Sequence, residues 1–307
     1  MDKCIAFHSY KGGTGKTTLA CNCAAVLTRK GYKVCLLDLD IYAPSFQSYF
    51  QKEPRKGIND FLYSNAEAGD IMLDITNIIS DIMASTASRN NKLKKIGKLW
   101  IGFSNPQKKD TFSLEMATNE TKREAIRRFI HLRERLRSDY DADYIIIDTS
   151  PGIRFWSINS LAIADVLLLT LKMGDLDIDG TKKVGEEIYR SFTKFGSKAF
   201  LVCNWISGYC VPDMFTNTNK NGSSSYRSSP STSSSSNNNR TVVRLQEDKE
   251  QSTLDVATSL SKEIGLEIVS SIPCYCDIQF LRKEFLTVLK YPQHPFAKQI
   301  ERLVEAL

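Results

Sequence analysis

A short apolar run, Cys4 to His8, leads directly into KGGTGKTT at Lys11 to Thr18, and a helical pattern, LACNCAAVLTRKG, follows and closes at Gly31. Few arrangements constrain a chain more. Gly12, Gly13 and Gly15, with Thr14 among them, let the backbone turn tightly and aim its N–H groups inward. The helix that follows adds unpaired donors and the positive end of its dipole. Such a loop is built to surround a phosphate, and strand, loop and helix in that order belong to a parallel sheet with helical crossovers.

The remaining sequence agrees. Apolar, β-rich runs recur at Val34 to Asp38, Leu99 to Phe103, Tyr144 to Asp148, Val166 to Leu171, Ala199 to Asn204 and Leu266 to Ser271, with helical patterns between most of them. Strands this apolar cannot leave one face in water. The expected fold is therefore α/β: a mostly parallel twisted sheet of about seven or eight strands with helices on both faces, the P-loop NTPase fold. The 307 residues read as one domain, 1–307. Residues 216–239 hold ten serines and six asparagines with almost nothing apolar to bury. That stretch reads as a disordered surface loop inserted after a strand.

At 42% hydrophobic and 25% charged, the chain has an ordinary soluble composition, and no run of roughly eighteen apolar residues could cross a bilayer. A cytosolic place is expected. The eight cysteines include no C-x-x-C pair, and with three histidines the spacing argues for buried apolar thiols rather than zinc. A net charge of +6 permits contact with nucleic acid or anionic lipid without requiring either.

Within the loop, Lys16 is placed to reach the β- and γ-phosphates, Thr17 to offer a hydroxyl to Mg²⁺, and Thr18 to meet the α-phosphate. The general spacing G-x-x-x-x-G-K-[ST] is not met, because position 10 holds Tyr. The second strand ends in Asp38 and Asp40, which alternation sets on one side at the sheet edge where ligands bind. DYIIIDTSPG pairs an apolar strand with Asp148, a candidate to hold Mg²⁺ through a water, and then Gly152, which can approach a γ-phosphate closely for want of a side chain. No asparagine-lysine-x-aspartate segment follows a late strand, which favours adenine over guanine.

KGGTGKTT with a lysine at its head resembles the deviant P-loop of the MinD/ParA family, and in overall pattern the chain is most similar to archaeal MinD-like ATPases. The resemblance implies an ATP- and Mg²⁺-dependent switch that hydrolyses ATP and forms a homodimer around two nucleotides, with Lys11 reaching the partner's nucleotide in trans. It implies that Asp40 orients the attacking water, that Asp38 joins the Mg²⁺ network, and that Asn204 and Pro273 form walls of the base pocket. Thr149 to Gly152 resemble the family's second switch. No arginine finger is identifiable, so slow intrinsic turnover is expected. The cycle would position or regulate a cellular assembly, with a protein partner or activator that the sequence does not name. A partition-type ATPase on nonspecific DNA and an adaptor that scarcely hydrolyses ATP stay open as alternatives.

Three further segments carry weaker signals. Asp175, Asp177, Asp179, Gly180 and Glu186 satisfy an EF-hand pattern, but a strand precedes them, so they read as a loop capping a helix that starts near Thr181. Lys122 to Arg137 carries seven Lys or Arg and two Glu on a helical pattern, fitting a solvated outer helix or a DNA-facing one. Phe296, Ile300, Leu303, Val304 and Leu307 share a helical face whose balanced charges favour packing on the sheet over membrane attachment.

Overall fold

The computed structural model describes residues 2–64, 66–86, 96–105, 117–206, 255–279 and 285–307. Residues 216–239 lie outside these. Eight strands form one sheet: β1 (Lys3–His8), β2 (Lys33–Leu39), β3 (Met72–Asp74), β4 (Lys98–Gly102), β5 (Tyr144–Thr149), β6 (Val166–Leu171), β7 (Lys198–Ile206) and β8 (Glu267–Pro273). Their order across the sheet is β3-β4-β2-β5-β1-β6-β7-β8. Every pairing is parallel except β3 with β4. The α/β fold expected from the sequence is the fold observed.

Side-chain alternation explains why the sheet needs two helical layers. Along β1, Cys4 and Ala6 join one buried cluster while Ile5 and Phe7 join the other, and along β2, Cys35 and Leu37 separate from Val34 and Leu36 in the same way. One layer contains α1 (Lys16–Arg29), apolar around most of its circumference, and α5 (Pro295–Ala306). The other contains α2 (Asn119–Tyr140), α3 (Phe155–Ala162), α4 (Asp175–Val184) and a helix over 255–264. Each fully buried Phe or Leu in these layers contributes about 1.5–3 kcal/mol by leaving water. Cys4, Cys21, Cys23, Cys35 and Cys203 are buried free thiols inside them.

The weakly patterned stretch from Glu53 to Lys98 supplies β3, the antiparallel edge strand. It is three residues long and half exposed, too short for alternation to reveal. The acidic segment at Asp175 is also corrected. Helix α4 begins at Asp175, with Gly174 as its N-cap, so Asp175 and Asp177 form the first helical turn and the loop expected up to Thr181 does not exist. Carboxylates at a helix start complement the dipole, which accounts for the acidic run without a metal.

α5 buries Phe296, Ala297, Ile300 and Leu303 against α1 and β8, the packing expected for it. Arg29 pairs with Glu301, and Lys30 with Glu305 at 2.9 Å, tying its outer side to α1. Among the described residues no helix is long and apolar enough to cross a membrane.

Candidate functional site

β1 lies at the centre of the sheet, flanked by β5 on one side and β6 on the other, so the chain leaves its C-terminal end where the strand order reverses. The loop Ser9 to Gly15 starts there. Gly13 (φ 74°) and Gly15 (φ 90°) adopt the left-handed conformation, and Gly15 is the N-cap from which α1 starts. A Cβ on Gly15 would also collide with the Asn204 amide, so glycine is required there twice over. The loop borders a cavity of about 1220 Å³ lined by Lys11, Gly12, Gly13, Gly15, Lys16, Thr17, Thr18, Asp40 and Gly152 among others. That exceeds the roughly 300–1,000 Å³ of a typical ligand pocket.

Beneath the loop the polar groups are buried and incompletely matched. Lys16 is 6% exposed and its ammonium donates to Ser9 Oγ at 2.9 Å; burial lowers its pKa, while Asp148 and Asp40 act in the opposite sense. The Thr17 hydroxyl donates to Asp148 Oδ2 at 2.6 Å. The other oxygen, Asp148 Oδ1, and the hydroxyl of Thr14 are buried with no hydrogen-bond partner. Burial pushes Asp148 up to about 7, with Lys16 and Thr17 opposing. A carboxylate held this way invites a cation.

Asp38 sits beside Asp148 in the β2–β5 register, and burial, then Asp148, raises its pKa. Its carboxylate accepts from the backbone N–H groups of Asp40, Ser45 and Phe46 at 3.1–3.3 Å, so it holds the loop leaving β2. Asp40 faces the cavity; burial raises its pKa, and a bond from Ser150 and the charges of Lys16 and Arg154 act against that.

Behind the loop, Asn204 Nδ2 donates to the Thr14 carbonyl at 2.8 Å, so this side chain touches the phosphate loop itself, although it is not among the residues lining the cavity. Pro273 stands at the end of β8 opposite Ile206 and is not among the residues lining the cavity. The site thus brings together Lys11 to Thr18, Asp40, Asp148, Gly152 and Asn204, keeps Asp38 behind them, and leaves Pro273 aside.

The oxygen donors fit Mg²⁺. Thr17 and Asp148 are hard ligands, and the unpartnered Asp148 Oδ1 is available to a metal-bound water. Among the described residues no group of three or more His, Cys, Asp or Glu is assembled for a metal, so an ion here would complete its shell with water and phosphate oxygens, as Mg²⁺ usually does.

A family profile described as an AAA domain matches residues 2–198, nearly two thirds of the chain. The chain belongs to the MinD/ParA family of P-loop ATPases. Similar relatives include the sporulation initiation inhibitor protein Soj of Bacillus subtilis, 25% identical over 60% of this chain and 64% of that protein. An uncharacterized ATP-binding protein of Methanocaldococcus jannaschii is 23% identical over 99% of this chain and 88% of its own length. An uncharacterized protein of the same organism is 28% identical over 58% of this chain, and the match spans 62% of it, less than two thirds.

Among solved structures, the cell division ATPase MinD of Pyrococcus furiosus is similar at a TM-score of 0.64 and 18% identity, covering 100% of this chain and 98% of that one. Apo McdA of Cyanothece gives a TM-score of 0.66 at 17% identity, covering 100% and 99%. At such identities the likeness is one of fold.

The structure also places side chains in or behind this MinD/ParA site that the sequence reading passed over. His8 is fully buried and donates from Nε2 to the Gly152 carbonyl at 3.0 Å, while Gly152 N–H donates to the Ser9 carbonyl at 2.8 Å. Both backbone groups of that glycine are therefore tied to the end of β1. Arg154, Tyr42 and Trp205 line the cavity. The available signal was adjacency: Arg154 follows Gly152 by two residues, Tyr42 follows Asp40 by two, and Trp205 follows Asn204.

Proposed function

We propose that the chain binds ATP with Mg²⁺, hydrolyses it slowly, and alternates between an ATP-bound homodimer and an ADP-bound monomer. The observation that carries this reading is the unsatisfied Asp148 carboxylate beside Thr17 and Lys16 at the floor of a glycine loop. In this assignment Gly12, Gly13, Thr14 and Gly15 supply backbone and hydroxyl donors to the phosphates, and Lys16 and Thr18 complete the cradle. Thr17 and Asp148 hold Mg²⁺, with Asp38 behind them, and the ion when bound neutralises charge on the β- and γ-phosphates. Asp40 orients the attacking water, and Gly152 senses the γ-phosphate. Asn204 would exchange its bond to Thr14 for the adenine edge, with Pro273 nearby. Lys11 reaches a partner's nucleotide, and the cavity's size and open mouth suit closure by a second copy.

Related proteins lend support. MinD of Pyrococcus horikoshii has been solved with Mg-ADP, and McdA(D38A) of Cyanothece with ATP. MinD of Aquifex aeolicus has been solved in complex with MinC, which fits the idea of a protein partner that the switch positions or regulates. Residues 1–307 are taken as one domain, since β7 and β8 pair in the sheet from either side of 207–254.

Sizing the protein with ATP, with ADP and after Lys11→Ala tests the cycle. The expected result is a doubled mass with ATP only, lost in Lys11→Ala; a wild type that stays monomeric in ATP defeats the shared-nucleotide mechanism. Salt-sensitive, ATP-dependent binding to arbitrary duplex DNA would instead select the partition reading.

A further inference from the structure

Among the described residues, three basic ones line the cavity: Lys11, Lys16 and Arg154. Lys16 lies at the floor on Ser9, and the proposed function assigns Lys11 to the partner's nucleotide. Arg154 is unassigned. It is the last residue before α3, with an extended backbone (φ −109°, ψ 159°), and it directly continues the switch segment through Gly152. Its guanidinium carbon lies 4.2 Å from the centroid of the Tyr42 ring. Tyr42 follows Asp40, so this contact joins the loop leaving β2 to the loop leaving β5 at the mouth of the site. Both partners line the same cavity as Lys16 and Asp40.

From this placement we propose that Arg154 is a catalytic arginine supplied in cis, resting on Tyr42 in the nucleotide-free protein and moving to the γ-phosphate of ATP bound by its own chain. The inference rests on the nucleotide-binding reading above and goes beyond it. Such a group would act beside the Lys11 that the other copy contributes. As the water oxygen bonds to the γ-phosphorus, the bond to the β–γ bridging oxygen breaks and its electron pair leaves with ADP. ATP and water become ADP, inorganic phosphate and a proton. Negative charge is spread over the γ-phosphoryl oxygens and the leaving oxygen in the transition state, where a planar guanidinium can donate two parallel hydrogen bonds.

A bound triphosphate offers the guanidinium two charge-assisted bonds, which would draw the side chain from Tyr42 toward the γ-phosphate. Arg154 and Asp40 line the same cavity, and the charge of Arg154 acts on the carboxyl group assigned to orient the water. Arg154, two residues beyond Gly152, thus stands in a sequence in which no arginine finger was identifiable.

The test compares wild type, Arg154→Ala and Arg154→Lys in single-turnover ATP hydrolysis with Mg²⁺. It is joined to titration of a fluorescent ADP with and without aluminium fluoride, which mimics the transferring phosphoryl group. Arg154→Ala is expected to lose about a thousandfold or more in rate, on the scale of other arginine fingers. Its ADP affinity should stay within about twofold, and the tightening that aluminium fluoride gives wild type should vanish. Arg154→Lys should recover only part of either, lacking the bidentate fork.

A variant that hydrolyses ATP within about threefold of wild type overturns the proposal. So does one whose ADP affinity falls as far as its rate, since that makes Arg154 a general binding or folding residue. A wild type with no affinity for Mg-ATP defeats the nucleotide reading and this inference together, whereas binding and turnover that survive Arg154→Ala defeat this inference alone. Unchanged thermal melting of Arg154→Ala would show that α3 still forms.

Discussion

Two regions of this molecule concentrate charge, and they handle it in opposite ways. Under the phosphate loop, Lys16, Asp38 and Asp148 are nearly or fully buried, and each departs from its ordinary protonation behaviour because water has been removed around it. On α2 seven basic residues stand within a 16-residue stretch of a long, largely solvated helix. There the arginines meet nearby carboxylates: Arg127 and Arg128 are each 3.5 Å from Glu124, Arg135 is 2.5 Å from Asp139, and Arg137 is 2.9 Å from Asp2. Arg133 turns inward to Asp165 at 2.7 Å. The larger count of charges makes the quieter surface. Work is stored where few charges are desolvated and one oxygen is left unmatched.

The largest effect expected from this contrast is at Lys16. Replacing it by Met should weaken Mg-ATP binding by about 4 kcal/mol, roughly a thousandfold, the scale of removing one partner from a buried charged contact. The nucleotide-free variant should melt no lower than wild type, because an ammonium that burial destabilises has been exchanged for an apolar chain of similar length. Calorimetric titration with scanning calorimetry reads both. Loss of stability without loss of binding would reverse the comparison, making Lys16 structural.

This contrast also explains what was legible in the sequence. The glycine loop, seven of the eight strands and Asp148 were readable because each is a local pattern: a spacing, an apolar run, an acid at a strand end. The basic stripe was readable too, yet its meaning depended on Asp165 and Asp2, which only the fold brings to α2. Tyr10 was hidden for the same reason: its ring packs where any side chain on Gly180 would stand, so α4 can lie against the phosphate loop only through a glycine. His8, Tyr42 and Arg154 belong with these, since each acquires its partner across the sheet or between two loops.

A middle-sized effect is expected at His8, which belongs to the site by position but carries no charge. Burial, then the nearby Lys16 charge, pulls its pKa down to about 4, and the Gly152 carbonyl acts only partly against them. The ring is therefore neutral, donating from Nε2 to Gly152, with Tyr189 Oη 3.4 Å from Nδ1. An unfolded chain binds a proton at this histidine below about 6.5, whereas the folded one does so only near 4. The folded state is thus favoured above 6.5, and this contribution drains away as pH falls from about 6.5 toward 4. The gap corresponds to about 3 kcal/mol. His8→Gln keeps a donor for Gly152 and should flatten that part of the stability profile in urea titrations run across the window. An unchanged slope would mean other groups set it.

The smallest effect is expected on α2, and its smallness is the point. The Arg127 side chain is 77% exposed, and its Glu124 partner is 52% exposed. A pair at (i, i+3) in water is worth a few tenths of a kcal/mol, reduced further by salt. Arg127→Ala should therefore change unfolding free energy by less than about 0.5 kcal/mol and leave ATP hydrolysis untouched, since alanine also favours the helix. Arg133→Ala on the same helix should be worse for stability, because its guanidinium is mostly buried between Asp165 and the Ile163 carbonyl and its loss would leave that carbonyl unpaired and Asp165 with only Arg137 and the Cys4 N–H. If the two variants proved equal, burial would not be what separates working charge from decorative charge here. A stability effect at Arg133 with none at Arg127 would extend the distinction from the nucleotide site to a single helix.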